Sequence, residues 1–232
     1  NTKTSTREQL ASDIKSHGFE GELLADAATR DFYSHDASMF EIQPELVARP
    51  TSSADVQRLV RYVVANKKTN PSLSLTARAA GTDMAGGAIN NSIVVDFAAH
   101  FTALGKVKGT TIASQPGVFY RDFEKETLRS NLLMPSYPAS RDMCQIGGIV
   151  NNNSGGEKSL EYGKVEKFVA ELKVVFADGK EYVVKPLTKK QLEAKINKGD
   201  YEAKLYQQIY RLCEDHYDLI KEAKPQVSKN SM

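Results

Sequence analysis

The spacing of apolar positions changes several times along this chain, and each change predicts an element. Residues 1–43 read as a helical preface, because Leu10, Ala11 and Ile14 share one helical face behind Thr6, a suitable N-cap. Residues 29–38 are polar and are expected to be irregular. Residues 46–49 read as a short strand that Pro50 stops. Thr51, Ser52 and Ser53 offer caps, and Val56, Leu59, Val60, Val63 and Val64 then recur at helical spacing. Strands are expected at residues 73–77 and 92–97, on either side of a glycine-rich turn. Strand, helix, strand, Gly-rich loop and strand make a small α/β lobe.

Beyond residue 100 the pattern changes. Residues 110–118 read as a strand running into a turn, and 120–130 as a helix. Residues 133–138 are extended and Pro-punctuated, and 144–156 are small and Asn-rich. Residues 165–176 alternate toward a strand, with Asp178-Gly179 as a hairpin turn before a second strand at 181–185. Residues 191–224 read as helical, with a break near 197–200. The expectation is a second, more antiparallel lobe, and no internal repeat is present.

Composition narrows the function classes. The chain has 232 residues, 41% hydrophobic and 26% charged, enough for one large domain or two lobes with a sizeable core. No apolar run approaches the roughly 18 residues of a membrane helix. Lys and Arg number 31 against 29 Asp and Glu, a net charge of +2 that gives no reason to expect nucleic acid, whose binders normally concentrate basic charge on one face. The Lys-rich stretch 185–224 is interleaved with acids and reads as a solvated helical face. Cys144 and Cys213 have neither CxxC nor metal-ligand spacing, which suits reduced thiols in a cytosolic protein. The sequence starts without Met or a signal-like apolar stretch and stops at Met232 in a polar segment, so it is expected to be a piece of a longer chain.

Two segments carry chemistry. Residues 78–87, Arg-Ala-Ala-Gly-Thr-Asp-Met-Ala-Gly-Gly, follow a strand directly. Glycines at 81, 86 and 87 permit positive φ and close backbone approach, and successive N–H groups in such a turn can cradle an anion such as pyrophosphate. The Thr82 hydroxyl could add a donor. The spacing is not GxGxxG, and Gly87-Ala88 stand where a P-loop needs Lys-Ser/Thr. A phosphate cradle and a tight structural turn both remain open at this point. Residues 145–156 hold four glycines and three asparagines in twelve positions, a poor helix or strand interior. They suit a backbone lying against a flat ligand, or an Asn/Gly surface loop, though Ile146, Ile149 and Val150 oppose full exposure. A third segment, Tyr162-Gly163 leading to Val169, says little alone.

Taken in order, these pieces resemble the PCMH-type FAD-binding domain of the vanillyl-alcohol oxidase superfamily, above all its D-lactate and glycolate dehydrogenase (FAD-linked oxidase) branch. The resemblance runs from Pro44 to Gly179. It consists of the strand ending at Pro50, Arg78-x-x-Gly81-Thr82 with Gly86-Gly87, and Pro116-Gly117. Pro138-Ala-Ser140, Ile146-Gly147-Gly148 with Asn152 and Gly155, Tyr162-Gly163, Val169 and Asp178-Gly179 complete it. Residues 31–38 are similar to the Tyr/Asp-containing lead-in of that branch.

The resemblance implies an α+β fold in which FAD lies between two lobes, a small α/β lobe and one with a mainly antiparallel sheet and flanking helices. The domain would span 44–225, with lobe one at about 44–100 and lobe two at about 101–225, and a C-terminal substrate domain would lie outside this chain. Ala80, Gly81, Thr82, Asp83, Met84 and Gly86, with Pro138 and Ser140, would hold the pyrophosphate. Ile146, Gly147, Gly148, Asn152 and Gly155 would line the flavin and ribityl chain. Tyr162 and Gly163 would add contacts, and backbone near Val169 would meet the adenine or flavin edge. Members with covalent flavin carry a His in the first loop, and none stands at 79–83, so noncovalent FAD is expected. His17, His35, His100 and His216 are read as surface or structural residues, and Cys144 as a small packing residue near the flavin wall.

The activity implied is oxidation of a 2-hydroxy acid such as D-lactate or glycolate, by hydride transfer to flavin N5, with an unidentified acceptor reoxidising the flavin. Substrate-binding groups would come from the missing domain, so no catalytic residue and no metal ligand is named. The implied location is cytoplasmic, with peripheral membrane contact through the full-length protein. Two alternatives are an NADPH-dependent enolpyruvyl-UDP-sugar reductase-like flavoprotein and a flavin-free α+β interaction domain.

Overall fold

The computed structural model describes residues 2–224; the expectation for the chain's polar C-terminal end lies outside them. Helix α1 (Thr2–Ser16) buries Ile14 against the first core, with Leu10 and Ala11 beside it. Strand β1 (Glu22–Leu24) follows, then helix α2 (Ala27–Phe32), whose first turn Asp26 caps through the Thr29 amide. Strand β2 (Leu46–Arg49) and helix α3 (Ser53–Asn66), capped by Ser52, agree with the sequence reading. Strands β3 (Leu75–Arg78) and β4 (Ile93–Asp96) complete a sheet of order β1-β2-β4-β3. β4 is the parallel partner of both β2 and β3, and β1 is antiparallel to β2. Leu46, Val47, Ala48, Ile93 and Val94 are fully buried, as expected for central strands covered on both faces.

The β3–β4 pair has an unusual consequence. Neighbouring parallel strands need a crossover of a dozen or more residues, usually a helix. Here residues 79–92 make that return without one. The glycine-rich segment therefore starts at the carboxyl ends of the strands, where open α/β sheets bind ligands.

The second core gathers Val118, Tyr120, Phe123, Tyr137, Cys144, Ile149 and Val165. Its elements are α4 (Tyr120–Leu128), α5 (Ile146–Asn151), α6 (Ser159–Tyr162) and a 3₁₀ turn at Val165–Phe168. The antiparallel hairpin β5 (Leu172–Val175) and β6 (Glu181–Val184) is the only sheet of this half among the described residues. It turns at Gly179, φ +70°, and docks on α3 of the first lobe: Arg61 donates to the Gly179 carbonyl at 2.7 Å, and Ser53 bonds Glu181. Helices α7 (Lys189–Ile196), α8 (Tyr201–Asp215) and α9 (Tyr217–Ala223) follow, with the expected break at Gly199 (φ +68°) and Asp200 capping α8. No helix among the described residues is long and apolar enough to cross a membrane.

The structure corrects four expectations. Residues 29–32, expected to be irregular, are the body of α2, because Asp26 supplies a cap that the polar reading passed over. Residues 110–118 form no strand but only isolated pairs such as Leu104–Ser114 and Lys108–Thr111, since the turn at Gly109 and Pro116 interrupt a ladder. Residues 146–151 are helical despite two glycines, because Ile149 is driven into the second core and packing overrides propensity. Residues 165–168 are a 3₁₀ turn, with the strand delayed to 172–175. Sequence reading also passed over β1, which makes part of the preface an edge of the first sheet.

The lobes meet at Pro116-Gly117. A Cβ on Gly117 would lie 2.4 Å from the Phe97 carbonyl oxygen and 2.8 Å from that of Phe101, both just past β4. Gly147 would place its Cβ 2.4 Å from Pro116 Cβ, and its amide donates to the Pro116 carbonyl at 2.8 Å. Gly117→Ala is therefore expected to destabilise the chain by about 1–3 kcal/mol, the usual cost of overpacking without a flexible neighbour. Urea denaturation measures it, and a loss within about 0.5 kcal/mol of zero would show that this approach tolerates a methyl group.

Candidate functional site

The carboxyl ends of β2, β3 and β4 place Arg49, Arg78 and Asp96 side by side in sequence-distant register. Asp96 is buried and accepts from Tyr33 Oη at 2.5 Å, Arg49 Nε at 3.1 Å and the Ala98 amide at 2.7 Å. Burial, and then the bond to Asp96, raise the Tyr33 hydroxyl pKa, so it stays a proton donor. The buried Arg78 guanidinium sits 5.1 Å from the Tyr33 ring centre. Its Nη1 donates to the His35 carbonyl at 2.6 Å, with longer contacts of 3.5 Å to the carbonyls of Tyr33 and Ala88. Burial lowers its pKa, against the pull of Tyr33, Asp36 and Asp96.

Arg78 explains Gly81. At φ +70° a Cβ there would lie 2.5 Å from Arg78 Nη2, so the loop closes directly over the guanidinium. Among the described residues, the amides of Ala80, Gly81, Thr82 and Met84 donate to no other group of the chain. Those of Ala85 and Gly87 donate to Asp83 Oδ2 at 3.1 and 2.6 Å, and that of Ala88 to Asp36 Oδ2 at 3.4 Å. Gly86, φ +82°, lies against Phe40, 3.1 Å from its would-be Cβ. The turn at 35–42 and the loop at 79–88 thus form one unit. Ala80–Asp83 are half-buried, whereas Met84 is 81% exposed.

Helix α5 approaches this loop from the other lobe. A Cβ on Gly148 would make ordinary contact, 3.7 Å, with Ala79 Cβ. Gln145, just before α5, is 2% exposed, and its Oε1 has no hydrogen-bond partner. Cys144 is buried beside it; burial pushes its thiol pKa up, with Ser140 opposing, which fits a packing role.

The remaining predicted residues lie in the second lobe, only some of them in mutual contact. Ser136 Oγ donates to the Gly163 carbonyl at 2.7 Å, and Gly156 would meet the Tyr137 carbonyl at 2.0 Å and Pro138 Cα at 3.3 Å. Gly155 packs on Ser159, and Ser140 accepts the amides of Met143 and Cys144 through its carbonyl. Asn152 is the exposed C-cap of α5, and Ile146 is half-buried with its amide on the Val118 carbonyl. Tyr162 is exposed and Val169 half-buried, and neither hydrogen-bonds to the first loop. His35 is exposed, its ring 3.8 Å from Glu41, and only its carbonyl serves the site. His100 meets Glu22 at 2.8 Å and His17 the Asp13 carbonyl, both at the surface. Sequence reasoning missed Tyr33, Arg49, Asp96 and Gln145. The first three are joined only by tertiary contact, but the Asp-x-Ala-Gly-Gly string at 83–87 did carry a side-chain-to-backbone turn signal.

Unpaired amides in a glycine-opened loop, a second backbone brought close by glycine, and an orphaned buried oxygen fit a ligand with an anionic linker and a flat polar ring. The family model described as an FAD binding domain matches residues 44–185. A D-2-hydroxyglutarate dehydrogenase of Pantoea ananatis is 26% identical over 218 residues, 93% of this chain and 21% of that protein. The glycolate oxidase subunit GlcD of Bacillus subtilis is 29% identical over 157 residues, 66% of this chain and 32% of that protein. The chain thus spans about a fifth to a third of the length of these relatives. In fold it is similar to 6-hydroxy-D-nicotine oxidase from Arthrobacter nicotinovorans, with a TM-score of 0.62 at 22% identity over 73% of this chain and 36% of that one.

Removing the Arg78 fork is expected to release the loop and to cost about 2–4 kcal/mol, because buried carbonyls lose a charged donor. Arg78→Ala and Arg78→Lys, compared by thermal and urea denaturation, test this. A loss below about 0.5 kcal/mol in the Ala variant would show that Arg78 does not anchor the loop.

Proposed function

This chain belongs to the FAD binding domain family, and from that premise we propose that it holds FAD noncovalently between its two lobes as the flavin-binding part of a 2-hydroxy-acid oxidoreductase. The observation that carries the reading is the junction at Ala79 and Gly148. There the loop with unpaired amides comes beside the glycine-bearing helix of the other lobe, a Cβ on Gly148 lying 3.7 Å from Ala79 Cβ. When bound, the flavin supplies a two-electron acceptor for the hydride of the substrate's α-carbon.

The residues of this chain bind and orient. The amides of Ala80, Gly81, Thr82 and Met84 offer donors to a diphosphate, with Arg78 fixing the loop from beneath. Gly147, seated on Pro116, and Gly148, beside Ala79, bring the α5 backbone up to the loop, and Gln145 offers an unpaired acceptor beside it. Pro138, Ser140, Asn152, Gly155, Tyr162, Gly163 and Val169 line the second lobe's contribution. Loop residues 79–87 include no His or Cys to form a flavin bond, which supports noncovalent retention. Groups that contact the hydroxy acid, and the route to the electron acceptor, belong to polypeptide outside this chain. The reading is supported by relatives that are named for D-2-hydroxyglutarate and glycolate.

Titration with FAD, followed by flavin absorbance and fluorescence, tests the reading. The wild-type chain is expected to bind saturably, and Gly148→Ala to bind within about threefold, since its methyl group meets only ordinary contact. Gly148→Asp is expected to bind about tenfold or more weakly, because it sets a negative charge beside the cradle. The full-length protein should then lose its oxidised-flavin absorbance anaerobically on addition of D-2-hydroxyglutarate, D-lactate or glycolate. A folded full-length protein that binds no FAD contradicts the proposal.

A further inference from the structure

The crossover loop is divided into two unlike halves. In the first, the amides of Ala80, Gly81, Thr82 and Met84 have no partner within the chain. In the second, the amides of Ala85, Gly87 and Ala88 are taken by the chain's own carboxylates, and that of Gly86 alone is left without a partner among the described residues. One oxygen of Asp83 holds two of them, and a Cβ on Gly87 would lie only 3.0 Å from that oxygen. Asp36 holds the third while its other oxygen accepts the Ser38 amide at 2.8 Å, so the turn at 35–42 anchors the loop's far end.

A carboxylate in a phosphate-binding loop is at first sight adverse, since like charges repel. Its hydrogen bonds change that reading. A segment with glycines at 81, 86 and 87 loses much conformational entropy on ordering. A side chain that orders it beforehand removes that cost from ligand binding. The same carboxylate occupies the Ala85 and Gly87 donors of the second half, so an incoming anion is directed to the first, where successive amides are unpaired.

We propose that Asp83 is the positioning residue of this loop: it acts as an internal anion that locks residues 85–87 and confines the diphosphate to the amides of 80–84. The FAD part of this proposal rests on the flavin reading above; the lock does not. Asn retains one acceptor oxygen, which is all that the two amides use, whereas Ala has none.

The test compares wild type, Asp83→Asn and Asp83→Ala by backbone amide hydrogen exchange in the free chain and by FAD titration. The Ala85 and Gly87 amides are expected to exchange about tenfold or more slowly in wild type and Asp83→Asn than in Asp83→Ala. FAD affinity is expected to fall about tenfold or more in Asp83→Ala and to return to within about threefold of wild type in Asp83→Asn. Unprotected amides at 85 and 87 in wild type overturn the lock. So does Asp83→Ala binding as well as wild type, while tighter binding by both variants would show that the carboxylate only repels. Protected amides in a chain that binds no FAD, alone or full-length, would support the lock and defeat the flavin reading instead.

Discussion

The structure depends on backbone approaching backbone where the two lobes meet. Gly117 sits under the carbonyls of Phe97 and Phe101, Gly147 against Pro116, and Gly148 beside Ala79. At the first two, a single methyl group would overlap main-chain or proline atoms. This contact fixes α5 against the carboxyl edge of the parallel sheet, and the same edge launches the loop 79–92. Topology thereby places the loop: a β3–β4 return without a helix leaves its amides at the mouth of the junction.

Charge is arranged around that mouth in layers. Asp96 neutralises the strand ends through Tyr33 and Arg49, leaving Arg78 without a carboxylate hydrogen bond of its own. Arg78 spends its donors on carbonyls and holds a buried positive charge beneath Gly81. Asp83 and Asp36 hold the far half of the loop. The loop thus has a positive charge beneath its first half, and its carboxylates hold only the second.

Much of this was legible in the sequence. The strand at 46–49, helix α3, the strands around 75 and 93 and the hairpin at Asp178-Gly179 follow from apolar spacing and turn residues that tertiary contact reinforces. The loop stands out because glycines directly after a strand allow either an anion cradle or a tight turn, a choice the local sequence leaves open. What escaped was local pattern overruled by distant packing. Residues 146–151 became a helix because the second core claims Ile149. The three residues of β1 are too few to show alternation. Tyr33, Arg49 and Asp96 come from separate segments and meet only in the folded sheet. The resemblance to flavin domains supplied the order of the motifs; the structure supplied the reason for Gly81, the division of the loop and the unpaired Gln145.

The central claim is that one ligand engages both lobes at the Ala79–Gly148 junction. Backbone amide NMR of the labelled chain during FAD addition addresses it most directly. The account predicts that the amides of Ala80–Asp83, Met84, Gly147 and Gly148 shift together along a single binding curve, while those of Ala85 and Gly87 shift little. Shifts confined to one lobe, or centred on the α1–α3 surface at His17, Arg58 and Tyr62 where a shallow pocket also lies, would contradict it.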